Sequence, residues 1–243
     1  MTRLLILGGT TEGRALAEQV VRMGLDATLS LAGVTSKPKL VALESRVGGF
    51  GGVEGLTDWL RQNETQALID ATHAFARRMP WNAFDASVLA SLPRLRLLRP
   101  AFARDSNRSY SDSLETALAS LRPGHRVLLT TGHMDASALW SRPDLSVLVR
   151  SIEPIAGLPP NTDSLIFTPP LDLESELEVL RTHQIETLIA KDSGGPTQPK
   201  LDAARIHGAK VILINRPQQP PGPTVETVDQ AVAWLKHVVA IAR

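Results

Sequence analysis

Five short stretches of this chain hold side chains able to move a proton or hold an anion. In Asp70-Ala71-Thr72-His73-Ala74-Phe75-Ala76 a histidine lies just past the end of the buried strand expected at Ala67 to Ala71. An imidazole at such a place titrates near neutrality and can give or take a proton, although it can equally be a structural histidine satisfied by its neighbours. In Lys191-Asp192-Ser193-Gly194-Gly195, followed by Thr197 and Lys200, cationic, hydroxyl and backbone donors gather ahead of a helical pattern. That combination holds phosphate or carboxylate; helix capping explains Ser193 and Thr197 but not the two lysines. Gly8-Gly9-Thr10-Thr11-Glu12 would let an anion approach backbone amides, with two hydroxyls to help, or would merely close a tight turn. It is neither the G-x-G-x-x-G fingerprint nor a P-loop, whose lysine it lacks. Gly48-Gly49-Phe50-Gly51-Gly52 sets one ring among glycines, suited to stacking on a flat ligand or to plugging an apolar gap. Finally, Ala32-Gly33 is followed by Ser36, Lys37 and Lys39 and by no acidic residue, which suits a ribose 2′-phosphate, hence NADPH, better than a free 2′-hydroxyl.

The elements that must position these residues alternate. Leu4 to Leu7 reads as a buried strand, Glu12 to Met23 as a helix ended by Gly24, and Ala27 to Leu31 as a second strand, which together make a βαβ unit. A helix from about Val53 to Gln62, a strand at Ala67 to Ala71, a helix from Met79 to Ser91 and a strand at Leu95 to Arg99 complete a first half. Pro100 and the polar stretch Arg104 to Ser113 read as a connector. The pattern then restarts, with strands expected at Arg126–Thr131, Val147–Ile152, Leu165–Thr168, Thr187–Ala190 and Val211–Asn215, and helices at Asp135–Trp140, Leu173–His183 and Leu201–His207. Four prolines in the seven residues Pro217 to Pro223 make an extended link to a last helix. The expected fold is α/β, with two Rossmann-like or flavodoxin-like parallel-sheet domains and a cleft between them. Residues 1–100 are expected to form a cofactor-binding domain and 101–243 a second, whose final helix, about 226–242, packs on one of the sheets or across both.

Composition removes several classes of function. A formal net charge of +1 over 243 residues gives no field to hold nucleic acid or an anionic membrane. The chain has no cysteine, which excludes thiolate metal sites and thiol catalysis, and its six histidines lack ligand spacing, so no metal is expected. The apolar run before Gly8 is too short for a signal peptide and no window suits a membrane span, so the reading is a cytoplasmic protein acting as a monomer.

Taken together, Leu5 to Arg14, Gly48 to Gly52, Asp70 to Ala76, Thr130 to Gly132 and Lys191 to Lys200 resemble, in order and spacing, the precorrin-6A reductase family of cobalamin biosynthesis. The resemblance implies NADPH-dependent reduction of one double bond of the macrocycle precorrin-6A to precorrin-6B, without flavin or metal. It implies cofactor contacts from Gly9, Thr10, Thr11 and Glu12, from Gly33, and from Thr72 and His73, with Ser36 and Lys37 near the 2′-phosphate. Phe50, Lys191, Ser193, Gly194, Thr197 and Lys200 would face the substrate, whose carboxylates would also meet rim cations such as Arg14 and Arg77. His73 is the first choice of proton donor and Glu12 the second, with water a third. The chain departs from the family pattern at Ala74, where a proline is usual, at Val34, where an arginine is frequent, and at Arg99-Pro100-Ala101-Phe102.

Other readings stay open at this level. The substrate could be the cobalt-bearing macrocycle of the anaerobic pathway, or the chain could be a non-catalytic nucleotide sensor. A short-chain dehydrogenase would need a Tyr-x-x-x-Lys pair, and the one tyrosine, Tyr110, has Leu114 at that spacing. A glycosyltransferase of two Rossmann-like halves is disfavoured by length and by the absence of an acidic metal motif.

Overall fold

The computed structural model describes residues 3–32, 43–167, 171–195 and 198–241. The chain opens with β1 (Arg3–Leu7), α1 (Thr11–Arg22), β2 (Asp26–Leu31), β3 (Glu44–Val47), α2 (Gly52–Gln62), β4 (Ala67–Asp70), α3 (Met79–Leu89) and β5 (Arg94–Leu97). It continues with β6 (Arg108–Ser111), α4 (Leu114–Ala119), β7 (Arg126–Leu129), a 3-10 helix (His133–Ser141), β8 (Ser146–Ser151) and β9 (Thr162–Ile166). Then come α5 (Leu173–Thr182), β10 (Thr187–Lys191), α6 (Gln198–His207), β11 (Lys210–Ile214), β12 (Thr224–Val225) and α7 (Val228–Ile241).

Local chemistry sets these limits. Leu4 to Leu7 are at most 1% exposed because β1 lies inside a parallel sheet covered on both faces, where strands read as unbroken apolar runs. The Thr10 side chain caps α1 by accepting from the Gly13 amide. Gly24, at φ 66°, ends that helix in a Schellman turn, with Leu25 N–H bonded to Val20 O and Gly24 N–H to Val21 O.

Two compact units result, one comprising residues 1–100 and 217–243 and the other 101–216. In the first unit all strands are parallel in the order β12-β5-β4-β1-β2-β3, which read from β3 is the 3-2-1-4-5-6 order of a dinucleotide-binding sheet. One face packs against α1 and α7 through Leu16, Val20, Ala231 and Leu235, the other against α2 and α3 through Leu56, Leu60 and Ala83. The second unit, also parallel, has the order β6-β11-β10-β7-β8-β9, with α5 and α6 closing an apolar core on one face. Both sheets thus repeat one pattern, and they differ in what fills the outermost place. In the second unit that is β6, which precedes the rest; in the first it is β12, which arrives last.

The domain boundary expected from sequence is therefore corrected. The segment from Pro217 onward, assigned to a domain 101–243, returns to the first unit. It is held there by backbone pairing of β12 with β5, where Arg96 N–H bonds Pro223 O and Leu98 N–H bonds Val225 O, and by Ala231 and Leu235 at 0% exposure in the core around α1. Three strands were not expected from sequence, the two-residue β12 among them. β3 (ESRV) and β6 (RSYS) carry no apolar run, because each lies at a sheet edge where backbone pairing, not burial of side chains, makes the strand.

Candidate functional site

Ligands of open parallel sheets bind beyond the carboxyl ends of the strands, at the place where strand order reverses. In the first unit that place lies between β1 and β4. Gly8, Gly9 and Thr10 follow β1; Ala71, Thr72 and His73 follow β4; and Ala71 N–H bonds back to Leu7 O at 2.8 Å. Thr10 ties the two loops together, its Oγ1 donating to Ala71 O at 3.0 Å while accepting from Gly13 N–H at 3.0 Å. Gly9 is exposed, and its φ of 135° is one that side chains rarely adopt. A Cβ on Gly13 would stand 3.0 Å from the Ala71 methyl, so a glycine lets α1 lie close on β4. Gly8 and Gly13 therefore hold the outer places of the dinucleotide fingerprint, with Thr10 in the middle one. That five-residue spacing was the missed signal.

Below this turn is a buried ion pair. The Asp70 carboxylate, 0% exposed, takes Arg96 Nη1 at 2.7 Å on an oxygen that also accepts from the Thr72 hydroxyl at 2.7 Å and the Thr72 amide at 3.0 Å. Arg96 further donates to Thr72 Oγ1 and to Gln219 Oε1, and Gln219 donates to Ala74 O. Burial lowers the pKa of the Arg96 guanidinium and Asp70 opposes the shift. Arg94, on the same strand, lies over the Phe84 ring and donates to Pro221 O at 2.6 Å. The loop that carries His73 is thus braced by β5 and by the returning segment together.

His73 accepts the Phe75 amide on Nδ1 at 3.2 Å, so a neutral imidazole here carries its proton on Nε2. Glu12, in the first turn of α1, has both carboxylate oxygens 3.3 Å from Arg99 Nη1, so a residue expected at the end of a strand lies beside the helix N-terminus. Thr11 is exposed at the start of the same helix. Phe50 follows β3 in this first unit, under the guanidinium of Arg46 and edge-on to Trp59. Gly33, Ser36 and Lys37 lie outside the described residues.

The second unit has its own reversal, between β7 and β10, and there residues expected from sequence to hold an anion meet. Lys191, at the end of β10, donates to Thr131 O, and Lys200, in the first turn of α6, donates to Thr130 Oγ1 at 3.3 Å. Arg150 and Glu176 pair beside them at 2.7 Å, both largely buried. Burial first, then the charges of Arg150 and Lys191, push Lys200 down from 10.5 to about 8, with Glu176 opposing. Ser193 is buried and Gly194 has φ 66°. Asp192 spends its carboxylate on Phe102 N–H at 2.9 Å and its carbonyl on Arg216, fastening both ends of the unit to this loop. Thr197 lies outside the described residues. Lys191, Ser193, Gly194 and Lys200 therefore share one sheet edge, while Phe50 belongs to the other unit.

The model of the family described as precorrin-6x reductase CbiJ/CobK matches residues 3–236. The chain belongs to that family. Among curated members it is similar to a precorrin-6A reductase of Rhodococcus erythropolis, 39% identical over 97% of this chain and 98% of the relative. It is also similar to a solved structure named CobK precorrin-6A reductase, with a TM-score of 0.91 and 35% identity over 98% of this chain and 97% of that one. A protein named cobalt-precorrin-6A reductase, from Priestia megaterium, is 25% identical over 96% of this chain. Among the described residues no helix is long and apolar enough to cross a membrane.

Proposed function

We propose that this chain reduces one double bond of precorrin-6A to give precorrin-6B in cobalamin biosynthesis, with NADPH as the reductant. The observation that carries the reading is the glycine turn Gly8-Gly9-Thr10 at the reversal point of a sheet with dinucleotide-binding strand order, in a chain matched over residues 3–236 by a reductase family. The residues present fit the cofactor. Gly9 leaves backbone open at the start of α1, Thr10 and Thr11 offer hydroxyls, and Arg99 neutralises the Glu12 carboxylate at a helix N-terminus that favours an anion. Thr72 and His73 stand across the turn, and Gly33, Ser36 and Lys37 would complete the ribose end.

When bound, NADPH supplies a hydride, and the macrocycle's conjugated system accepts the electron pair. The protein's own task is to hold reactant and reductant in register and to supply the balancing proton. His73 serves the second purpose through Nε2–H, the nitrogen its Phe75 contact leaves protonated. Glu12, engaged with Arg99, is better placed to orient the loop than to give a proton. Lys191, Ser193, Gly194 and Lys200, with Thr197, bind substrate carboxylates. The metal-free macrocycle is favoured over the cobalt-bearing one because relatives named precorrin-6A reductase are 35–39% identical and those named cobalt-precorrin-6A reductase 25–30%.

The test is NADPH oxidation, followed by near-ultraviolet absorbance, with enzymatically prepared precorrin-6A beside NADH and cobalt-precorrin-6A controls. Oxidation that depends on the metal-free macrocycle supports the reading. Binding of NADPH with no turnover on either macrocycle would leave a nucleotide sensor, and preference for the cobalt form would reassign the pathway.

A further inference from the structure

Discrimination between NADPH and NADH requires a group that meets the ribose 2′-phosphate, and in a sheet of this order the ribose lies at the end of the second strand. A cation is built into the edge strand beside it. Arg46 of β3 lies in register with Ser30 of β2, and Gly48 N–H bonds Leu31 O at 2.9 Å, so the end of β3 and the end of β2 are one surface.

The Arg46 guanidinium is held in a fixed attitude. Nη1 donates to Ser30 Oγ at 3.0 Å and to Gly48 O at 3.2 Å, and Nη2 donates to Gly49 O at 2.9 Å. The group lies 3.7 Å from the centroid of the Phe50 ring, and that ring is itself set edge-on against Trp59 at 5.7 Å. A guanidinium has five N–H donors, so two, on Nε and Nη2, are left over after these three bonds. Among the described residues no carboxylate pairs with Arg46, and its nearest acidic neighbour along β3, Glu44, accepts from Thr28. Above the following loop, a Cβ at Gly48, Gly49, Gly51 or Gly52 would meet nothing within 4 Å. Among the described residues the result is a stacked cation with no acidic partner and two donors to spare, at the end of β2. A stapling role for the loop accounts for three of its donors but not for the missing counter-charge.

We infer that Arg46, laid on Phe50, recognises the 2′-phosphate of the dinucleotide and is the residue that selects NADPH over NADH. This rests on the reading of the first unit as the cofactor unit. The planar fork suits a phosphate through two parallel N–H donors, and the aromatic platform keeps it oriented before the ligand arrives.

Titration calorimetry with two fragments, 2′,5′-ADP and 5′-ADP, tests the assignment without any turnover. Wild-type protein is expected to bind 2′,5′-ADP at least about tenfold more tightly than 5′-ADP, the difference of one charge-assisted contact. In Arg46→Leu that preference collapses to within about twofold while 5′-ADP affinity stays near wild type. Arg46→Lys keeps the charge without the fork and retains a reduced preference, and it serves if the leucine variant fails to fold, as judged by its thermal midpoint. Equal loss of both fragments would show a stapling role only and overturn the assignment, as would an unchanged preference in both variants. Wild-type protein that binds both fragments equally also overturns it, yet leaves the cofactor unit standing. Wild-type protein that binds neither fragment removes the cofactor reading itself and this inference with it.

Discussion

Single side chains in the second unit carry an energetic signature that can be measured directly. Lys200 is 6% exposed and held at about 8 rather than 10.5. Below about pH 8 both the folded and the unfolded chain keep its proton, and the cost of burying the charge is fully present. Between about pH 8 and 10.5 the folded chain has released a proton that the unfolded chain retains, so stability rises with pH through that window. Lys200→Met is therefore expected to stabilise the protein by about 1–3 kcal/mol at pH 7, with the gain shrinking toward pH 10. Urea denaturation at both pH values checks this, and a gain independent of pH would contradict it. On the proposed reading, in which Lys200 binds substrate carboxylates, the same variant should also weaken binding of the macrocycle. In the first unit, His73→Ala is expected to lower turnover about 100-fold with NADPH affinity within about threefold, as befits loss of a proton donor; unchanged turnover would pass that role to water.

At the scale of elements, the loop after β4 depends on a partner strand rather than on its own sequence. Arg96→Leu leaves the Asp70 carboxylate buried without its cation and should cost about 3–5 kcal/mol in chemical denaturation. Replacing both residues, Asp70→Val with Arg96→Leu, should cost less than Arg96→Leu alone, because no charge is then stranded. The start of α2 is governed by close approach: a Cβ on Gly55 would fall 1.8 Å from Phe50 O. Gly55→Ala must push the Phe50 loop away from the helix, with an expected loss of about 1–3 kcal/mol and a weaker grip on 2′,5′-ADP. Retained affinity for that fragment would detach the loop from nucleotide binding. Neither dependence was legible in sequence, where Asp70 and Arg96 are 26 residues apart and Gly55 is one glycine among many.

For the whole molecule, the chain leaves the first unit after β5 and comes back to finish it. A fragment of residues 101–216 contains every strand of its sheet and should unfold cooperatively by itself. Residues 1–100 alone should not, since β5 would lack its outer neighbour β12, Arg94 and Arg96 would lose Pro221 and Gln219, and the core beside α1 would lose Ala231 and Leu235. Joining residue 100 to residue 217 through a short flexible linker should restore a cooperative transition. Circular dichroism of the three proteins during urea titration decides the matter, and a cooperative 1–100 fragment would show the return segment to be dispensable.

Amino-acid order by itself determined the α/β class and the central strands, because a parallel strand covered on both faces reads as a nearly continuous apolar run, as Leu4 to Leu7 and Ala67 to Ile69 do. It also marked the glycine turns beyond β1 and β10, since backbone in such conformations admits few other residues. Edge strands leave no such trace: Glu44–Val47, Arg108–Ser111 and Thr224–Val225 are made by backbone pairing with a neighbour that only the folded chain supplies. The buried guanidiniums of Arg94 and Arg96 likewise follow from a segment more than a hundred residues away. Side-chain charge reads as exposure in a sequence, and it took the tertiary structure to place these charges inside, where the partners that neutralise or bond them are brought in by topology alone.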